Sequence, residues 1–170
     1  AIVEPVDLDV GDQLDTFLTF WQPVTGYYLE NASEEALKRS DPMLVRSAKK
    51  GAQIPITQHY KAMAERAALA QRMAKFHQKH DLLLAPMTPI PPFEAGHGIY
   101  GPADKAYKRT WTPYSFPFNL TGQPAASVPN GFTKDGLPTA FQLVGPWRSE
   151  ALILRAARAY EAEQPIKTLA

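Results

Sequence analysis

Cysteine is absent from the 170 residues of this sequence, and neither sign of charge predominates. The lack of cysteine excludes disulfides, thiolate nucleophiles and cysteine-ligated metal sites, and it fits a reducing cytoplasm. Lysine and arginine number 18 against 17 acidic residues, which gives a net charge of +1. Nothing in this balance indicates binding to nucleic acid or to an anionic membrane surface. These absences favour a small neutral substrate.

Long apolar runs are also missing, because no stretch approaches the roughly 20 residues needed to cross a bilayer. The first ten residues carry three acidic groups and do not resemble a basic, apolar signal sequence. The sequence therefore predicts a soluble, cytoplasmic protein. The chain also lacks an initiating methionine and opens on apolar Ala1 and Ile2, which indicates a piece of a larger protein.

Helical patterns dominate residues 1–80. Ser33 is expected to cap a short helix, and Asp41 to cap another that stops at Gly51. The longest helix is predicted over residues 57–80. The first helix should begin with the apolar face Leu14, Phe17, Leu18 and Trp21, and the longest should carry the apolar stripe Tyr60, Met63, Ala67, Ala70 and Met73.

Strand patterns and a proline-rich loop dominate residues 81–170. Residues 81–85 predict a short buried strand. Two more strands, residues 125–132 and 139–144, flank an Asp-Gly turn and predict an antiparallel hairpin, and Ser149 should cap a final helix. The fold class is therefore α/β: one domain with helices packed on a mixed sheet, a C-terminal β-hairpin and a closing helix.

A nucleophilic serine needs an adjacent base and a sharp glycine-rich turn that supplies oxyanion donors. None of the six serines has that setting. Two are predicted helix caps, one precedes a cap, one lies inside a helix, one sits among aromatics and one lies in a strand. No catalytic residue is assigned in this chain.

Four histidines leave a metal site as an alternative interpretation. His77, His80 and Asp81 lie close enough in sequence to share a ligand set. Histidines in the last turn of a helix, however, bond its free carbonyls and complement its dipole without any metal. We therefore favour a structural role for this trio, and a solvated loop position for His97.

Aromatic side chains crowd into the segment of residues 111–118, which contains two prolines. Such a rigid, aromatic segment can line an apolar pocket or fill the core. Both interpretations stay open at this stage. Tyr114 and Ser115 are the members that offer hydrogen bonds to a ligand.

The segment Phe-Pro-Phe-Asn-Leu-Thr-Gly-Gln-Pro-Ala-Ala-Ser-Val-Pro, residues 116–129, resembles the C-terminal hallmark of amidase-signature enzymes. The motifs at residues 135–138 and 142–145, the closing helix and residues 81–86 are similar to that family as well. The resemblance covers about residues 40–163 and is strongest from Asp81 onward.

Proline and glycine around Asn119 predict a turn before a buried strand, where Asn119 can satisfy backbone groups through both its donor and its acceptor atoms. Gln142, inside an apolar strand, needs partners if it is buried. Both are therefore expected to have structural roles.

The resemblance implies hydrolysis of a carboxylic amide by a serine nucleophile, with a second serine in a cis peptide and a lysine, through an acyl-enzyme. It implies no metal or organic cofactor. Those three residues belong to a Gly/Ser-rich segment and a lysine motif in the N-terminal part of such enzymes. This chain has no such segment, so Lys49, Lys50 and Lys61 are not assigned that role. The fragment alone is predicted to be inactive.

In this family the C-terminal portion contributes part of the substrate pocket. Met87 stands where relatives commonly carry threonine, and Thr112 stands near the position of an aspartate that binds the substrate amine in the glutamine-using amidotransferases. Both departures favour a less polar substrate. The expected substrate-binding residues are Met87, Thr88, Trp111, Tyr114 and Ser115.

Three functions are therefore compared. The first is an amidase acting on a small aryl or aliphatic amide, with the N-terminal part of the same enzyme as partner. The second is a protein similar to the A subunit of glutamyl-tRNA(Gln) amidotransferase, which would need a polar pocket for glutamine. The third is a non-enzymatic interaction module that reuses half of the fold. The oligomeric state stays open, with a homodimer among the alternatives.

Overall fold

Helices form the first half of the chain, and a small sheet with two further helices forms the second. The computed structural model describes residues 1–92 and 112–165. The helices in these ranges are α1 (Leu14–Leu29), α2 (Glu34–Arg39), α3 (Pro42–Gly51), α4 (Ile56–Phe76), α5 (Phe116–Thr121) and α6 (Glu150–Glu163), and the strands are β1 (Leu83–Pro86), β2 (Ala125–Phe132) and β3 (Pro138–Val144). None of the described helices is long and apolar enough to cross a membrane.

Strand β3 is central, with β1 on one side and β2 on the other. The hairpin between β2 and β3 is confirmed, and Gly136 in its turn has a φ of 77°, which glycine adopts without strain. The sequence predicts a mixed sheet, whereas all described strands pair antiparallel. A tight turn reverses the chain between β2 and β3, and β1 runs opposite to β3 on its other edge. The α/β class is confirmed.

Two apolar clusters lie on opposite faces of the sheet. Successive residues of a strand point to opposite faces, so Leu143 and Val144 of β3 contribute to different clusters. One cluster joins β1 and β3 to α4 and α5 through Met73, Leu83, Phe118 and Val144. The other joins β2 and β3 to α6 through Val128, Phe141, Leu143 and Ile153. The sheet is therefore covered by helices on both faces.

The predicted caps of the short helices are confirmed. The Ser33 hydroxyl accepts a hydrogen bond from the backbone N–H of Ala36 (3.2 Å), and the Asp41 carboxylate accepts one from Met43 (2.7 Å). Helix α6 begins after Ser149 as predicted, but that hydroxyl donates to the Pro146 carbonyl instead of accepting from the helix. The prediction of Ser149 as a side-chain cap is therefore wrong, because the preceding turn uses its hydroxyl.

Helix α1 buries threonines and exposes aromatic rings. Thr16, Thr19 and Thr25 are buried, whereas Trp21 on the predicted apolar face is 51% exposed. The threonine hydroxyls are all hydrogen-bonded, to the Glu65 carboxylate of α4 and to backbone carbonyls of α1 itself. Polar groups with satisfied hydrogen bonds can be buried at little cost. The most deeply buried positions of α1 are therefore threonines, and Phe17 on the predicted apolar face is only half-buried.

Helix α4 ends at Phe76 rather than at residue 80, because the chain turns after His77. The predicted apolar stripe is right at Met73, which is buried, and wrong at its N-terminal end, where Tyr60 is 65% and Met63 47% exposed. The buried side chains are Ala62, Leu69 and Met73. Both the predicted positions and the observed ones are spaced as on one side of a helix. The packing of α4 against α1 and α5 determines which of these sides is buried.

Two predictions near the sheet also need correction. Strand β1 is not a buried strand throughout, because it lies at the edge of the sheet and its Leu84 is 55% exposed. Residues 116–121 form the short helix α5, where a turn is predicted. Pro117 lies in the first turn of α5, and proline is tolerated there because its missing N–H would be unpaired anyway.

A partly buried polar network joins α4 to the loops at the end of the sheet. The Gln123 side-chain amide donates to the Gly145 carbonyl and contacts His77 Nε2, both at 2.9 Å. Its oxygen accepts from the Thr121 hydroxyl. His77 Nδ1 lies 3.1 Å from the His80 carbonyl, which can only accept, so His77 carries its proton on Nδ1 and accepts from Gln123 on Nε2. Burial lowers the pKa of His77 and outweighs the opposing effect of this carbonyl.

The histidine trio has protein partners. Both ring nitrogens of His77 are used within the network, and His80 Nδ1 lies 3.3 Å from the Glu4 carboxylate. Within residues 1–92 and 112–165, no group of three or more His, Cys, Asp or Glu side chains is placed to hold a metal ion. These contacts support the structural interpretation. His97 lies outside the described residues.

Gly51 should be required at the crossing of α1 and α3. A Cβ atom there would collide with the backbone of Gln22 and Pro23, which cannot move aside as a side chain would. We expect Gly51→Ala to lower the free energy of unfolding by about 1–3 kcal/mol, as overpacking does. Chemical denaturation measures this change. The control is Lys50→Ala in the same turn, at an exposed position, and equal stability of the two variants would contradict the prediction.

His77 should make stability depend on pH. Because its pKa is lowered from 6.5 in the folded state, the unfolded chain binds more protons in the window between the two pKa values. The contribution of His77 is therefore present above pH 6.5 and is lost as the pH falls towards the folded-state pKa. We expect the stability advantage of wild type over His77→Gln to shrink as the pH falls below 6.5. Parallel stability curves would show that His77 does not contribute.

Candidate functional site

A cavity of about 240 Å³ lies between α5 and the face of the sheet that carries Gln142. We call it the polar cavity. Ser127 of β2 and Gln142 of β3 are register partners, so their side chains project from the same face. The lining residues are Met87, Ser115, Phe118, Asn119, Gln123, Ala125, Ala126, Ser127 and Gln142.

The structure brings together two of the five expected substrate-binding residues. Met87 and Ser115 line the polar cavity, whereas Thr88 and Tyr114 are not among its lining residues. The Thr88 hydroxyl donates to the Ile90 carbonyl at 2.9 Å. Tyr114 is 38% exposed, and its backbone carbonyl accepts a hydrogen bond from the Gln142 side chain. Trp111 lies outside the described residues.

Gln142 holds the two walls that carry Met87 and Ser115. Its side chain is 2% exposed, and its Nε2 donates to the Pro86 carbonyl at 3.2 Å and to the Tyr114 carbonyl at 2.9 Å. Each carbonyl belongs to the residue directly before a lining residue. The single amide group thus fixes the end of β1 relative to the start of α5. This agrees with the structural role expected for Gln142.

Ser115 and Asn119 are joined across the first turn of α5. The Asn119 amide donates to the Ser115 carbonyl at 2.9 Å, and the Ser115 hydroxyl donates to the Thr112 carbonyl at 3.0 Å. The proton of Ser115 is thus directed at a backbone oxygen. A serine in this state is positioned to accept hydrogen bonds from a ligand rather than to attack it.

Two polar residues of the lining, Gln123 and Ser127, are absent from the site predicted by sequence. Gln123 is held by Gly145, Thr121 and His77 in the network described above. Its position in the sequence could have indicated this role, because a glutamine between Gly122 and Pro124, just before a strand, has few local hydrogen-bond partners. Ser127 lies in β2 with its side chain on the cavity face, and the alternation of the strand gives that position once the register is known.

The lining is uncharged, and five of its nine residues are polar. It contains hydroxyls, amides and one thioether, and none of the nine residues is Asp, Glu, Lys, Arg or His. General acid or base catalysis needs a titratable group within hydrogen-bond reach of the reacting atom. The polar cavity, as built from the described residues, can therefore bind and orient a neutral group, and its own lining supplies no proton-transfer residue.

Sequence comparison relates the chain to enzymes of amide chemistry. The family model described as Amidase matches residues 21–154. The A subunit of the glutamyl-tRNA(Gln) amidotransferase of Myxococcus xanthus is 40% identical over 106 residues, which are 62% of this chain and 21% of that protein. The same protein of Brevibacillus brevis is 38% identical over 101 residues, 59% of this chain and 20% of that protein. The aligned part thus spans about a fifth of these relatives.

Solved structures show the same fold over almost the whole chain. A 6-aminohexanoate cyclic dimer hydrolase superposes with a TM-score of 0.80 at 19% identity, covering 96% of this chain and 38% of that one. A bacterial aryl acylamidase of the amidase-signature family gives a TM-score of 0.80 at 24% identity, with 96% and 36% covered. This structural match extends beyond the residues aligned by sequence. Since the family model also covers most of its length, the chain belongs to the amidase-signature family.

Proposed function

We propose that this chain is the C-terminal, pocket-lining part of a single-domain amidase that hydrolyses carboxylic amides through a serine acyl-enzyme. The observation that carries the proposal is the uncharged polar cavity, whose hydroxyls and amides match the hydrogen-bonding groups of a neutral amide. The nucleophile, the second serine and the lysine are assigned to the remainder of the enzyme, which is the proposed partner. No metal or organic cofactor is part of this mechanism.

The proposed substrate is a small amide with an apolar acyl or amine part. Phe118, Ala125 and Met87 give the polar cavity an apolar share beside its amides. A methionine is flexible and polarisable, and it adapts to aryl or alkyl groups alike. The cavity volume of about 240 Å³ suits a group of modest size.

The second candidate is an amidotransferase subunit that uses glutamine. It is favoured by the names of the sequence relatives, which are glutamyl-tRNA(Gln) amidotransferase subunits at 40% and 38% identity. Glutamine carries an α-ammonium group, whose desolvation needs a compensating anion. No carboxylate lines the polar cavity within the described part of the chain. We therefore place simple amide hydrolysis first.

The 170-residue chain alone should not hydrolyse amides. We expect no turnover of an anilide or of benzamide by this chain, and turnover by a longer protein that contains it together with the serine- and lysine-bearing part. Release of aniline or ammonia measures the activity. A fluorophosphonate probe followed by intact mass provides a second test, in which stoichiometric labelling of one of the six serines would sink the proposal. Glutaminase activity without hydrolysis of either amide would favour the second candidate.

Gln142 should act as a positioning residue for this site. In the longer protein, Gln142→Met removes both hydrogen bonds to the cavity walls at similar volume, so we expect kcat/KM to fall about ten-fold or more as the walls shift. Gln71→Met, at an exposed position of α4, is the matched control. If both variants retain wild-type kcat/KM, Gln142 does not position the site. We do not expect Gln142→Glu to retain wild-type kcat/KM, because its buried carboxylate would face two carbonyl oxygens.

A further inference from the structure

A second recess of about 180 Å³ lies where α1, α4 and α5 meet. We call it the aromatic groove. Three of its seven lining residues are aromatic, and one is a cation. They are Phe17, Phe20, Trp21, Val24, Arg66, Asn119 and Leu120.

Two aromatic rings of the groove, Phe17 and Trp21, belong to a ladder of stacked rings that begins at Phe116 and ends at the protein surface. Phe116 of α5 stacks on Phe17 with ring centroids 4.5 Å apart, and Phe17 stacks on Trp21 at 5.8 Å. Trp21 remains 51% exposed and Val24 48% exposed. A planar or alkyl group entering the groove would extend this stack and cover apolar surface.

Arg66 is held in place at the groove. Its Nε donates to the Leu120 carbonyl at 2.6 Å, and its guanidinium carbon lies 5.6 Å from the centre of the Phe20 ring. In the ranges that the structure describes, no carboxylate lies within 4 Å of this guanidinium. The terminal N–H groups form a fixed fork, and such a fork matches a carboxylate in geometry and charge.

Asn119 connects the groove to the polar cavity. It lines both recesses, and its amide is held by the Ser115 carbonyl. The two recesses are therefore neighbours on either side of one side chain. A ligand that spans Asn119 would place one end among amides and hydroxyls and the other among aromatic rings beside a cation.

We propose that the aromatic groove binds an apolar arm that ends in a carboxylate, such as an arylalkanoate, and that this arm belongs to the substrate whose amide lies in the polar cavity. The apolar walls take the arm, and Arg66 takes the carboxylate. Assignment of the arm to that substrate rests on the proposed amidase function. Binding of the carboxylate in the groove rests on the groove alone.

The test titrates the full 170-residue chain with 4-phenylbutyrate and with its neutral carboxamide, followed by the indole N–H signals in ¹H–¹⁵N NMR. We expect the Trp21 signal to shift and saturate with the carboxylate at about three- to ten-fold lower concentration than with the carboxamide. Trp147 is the internal control, because its indole N–H is bonded to the Thr121 carbonyl outside the groove. Equal affinity for both probes, or no shift of Trp21, would overturn the proposal without requiring any variant.

Three variants then locate the site. Arg66→Gln should remove the preference for the carboxylate, Arg66→Lys should keep part of it, and Trp21→Ala should weaken both probes. Arg72→Gln, an exposed arginine of the same helix outside the groove, should change nothing. A preference for the carboxylate that survives in Arg66→Gln would place its binding elsewhere and refute the assignment.

The proposal for the groove and the proposal of amidase function can be refuted independently of each other. The titration involves no hydrolysis, so it reports on the groove whether or not the longer protein is an amidase. In the longer protein, amides with and without a terminal carboxylate on the arm report on the link between the two recesses. The link is wrong if Arg66→Gln raises KM equally for both classes of amide, and it is supported if only the carboxylate-bearing class is affected.

Discussion

The side-chain amide of Gln142 is the interaction on which the candidate site depends. It lies on the central strand of the sheet, almost completely buried, and donates to the carbonyls of Pro86 and Tyr114. These carbonyls belong to segments that are far apart in sequence. An apolar residue at this position would leave both carbonyls without this donor in a dry environment, at a cost of about 1–3 kcal/mol for each buried group. One polar residue in an apolar strand thus fixes both walls of the polar cavity.

Gln123 performs a comparable task at the other end of the cavity. Its amide contacts Gly145, Thr121 and His77, and so joins the end of β3, the end of α5 and the turn after α4. The apolar clusters on the two faces of the sheet are small, and they leave these loops to be placed by hydrogen bonds. Since directional bonds fix orientation better than apolar contact does, the cavity has defined walls although the surrounding core is modest.

Features of the fold that depend on a few neighbouring residues can be predicted from the sequence. Contacts between elements that are distant in sequence cannot. Ser33, Asp41 and the Asp-Gly turn act within a few residues, and the structure confirms all three. The buried side of α4 depends on its neighbours, because both the predicted and the observed positions are spaced as on one side of a helix. Helix α5 escapes prediction since Pro117 fits a turn as well as a first helical turn. In the polar cavity, Met87 and Ser115 follow from the family resemblance, but Gln123 acquires its role only through residues distant in sequence, such as His77.

Helix α1 shows why an aromatic surface can persist without contributing to the core. Its threonines are buried with hydroxyls bonded to carbonyls of the same helix or to Glu65, so this polar side packs inward at little cost. Phe17 is half-buried against Phe116 of α5, and Trp21 beyond it stays 51% exposed. Leaving a large apolar side chain exposed forgoes about 1.5–3 kcal/mol of burial, and the groove exposes two apolar side chains at one place, Trp21 and Val24. A surface of this kind gains stability from whatever covers it, and the fixed guanidinium of Arg66 beside it selects for an anionic apolar group among the ligands that could do so.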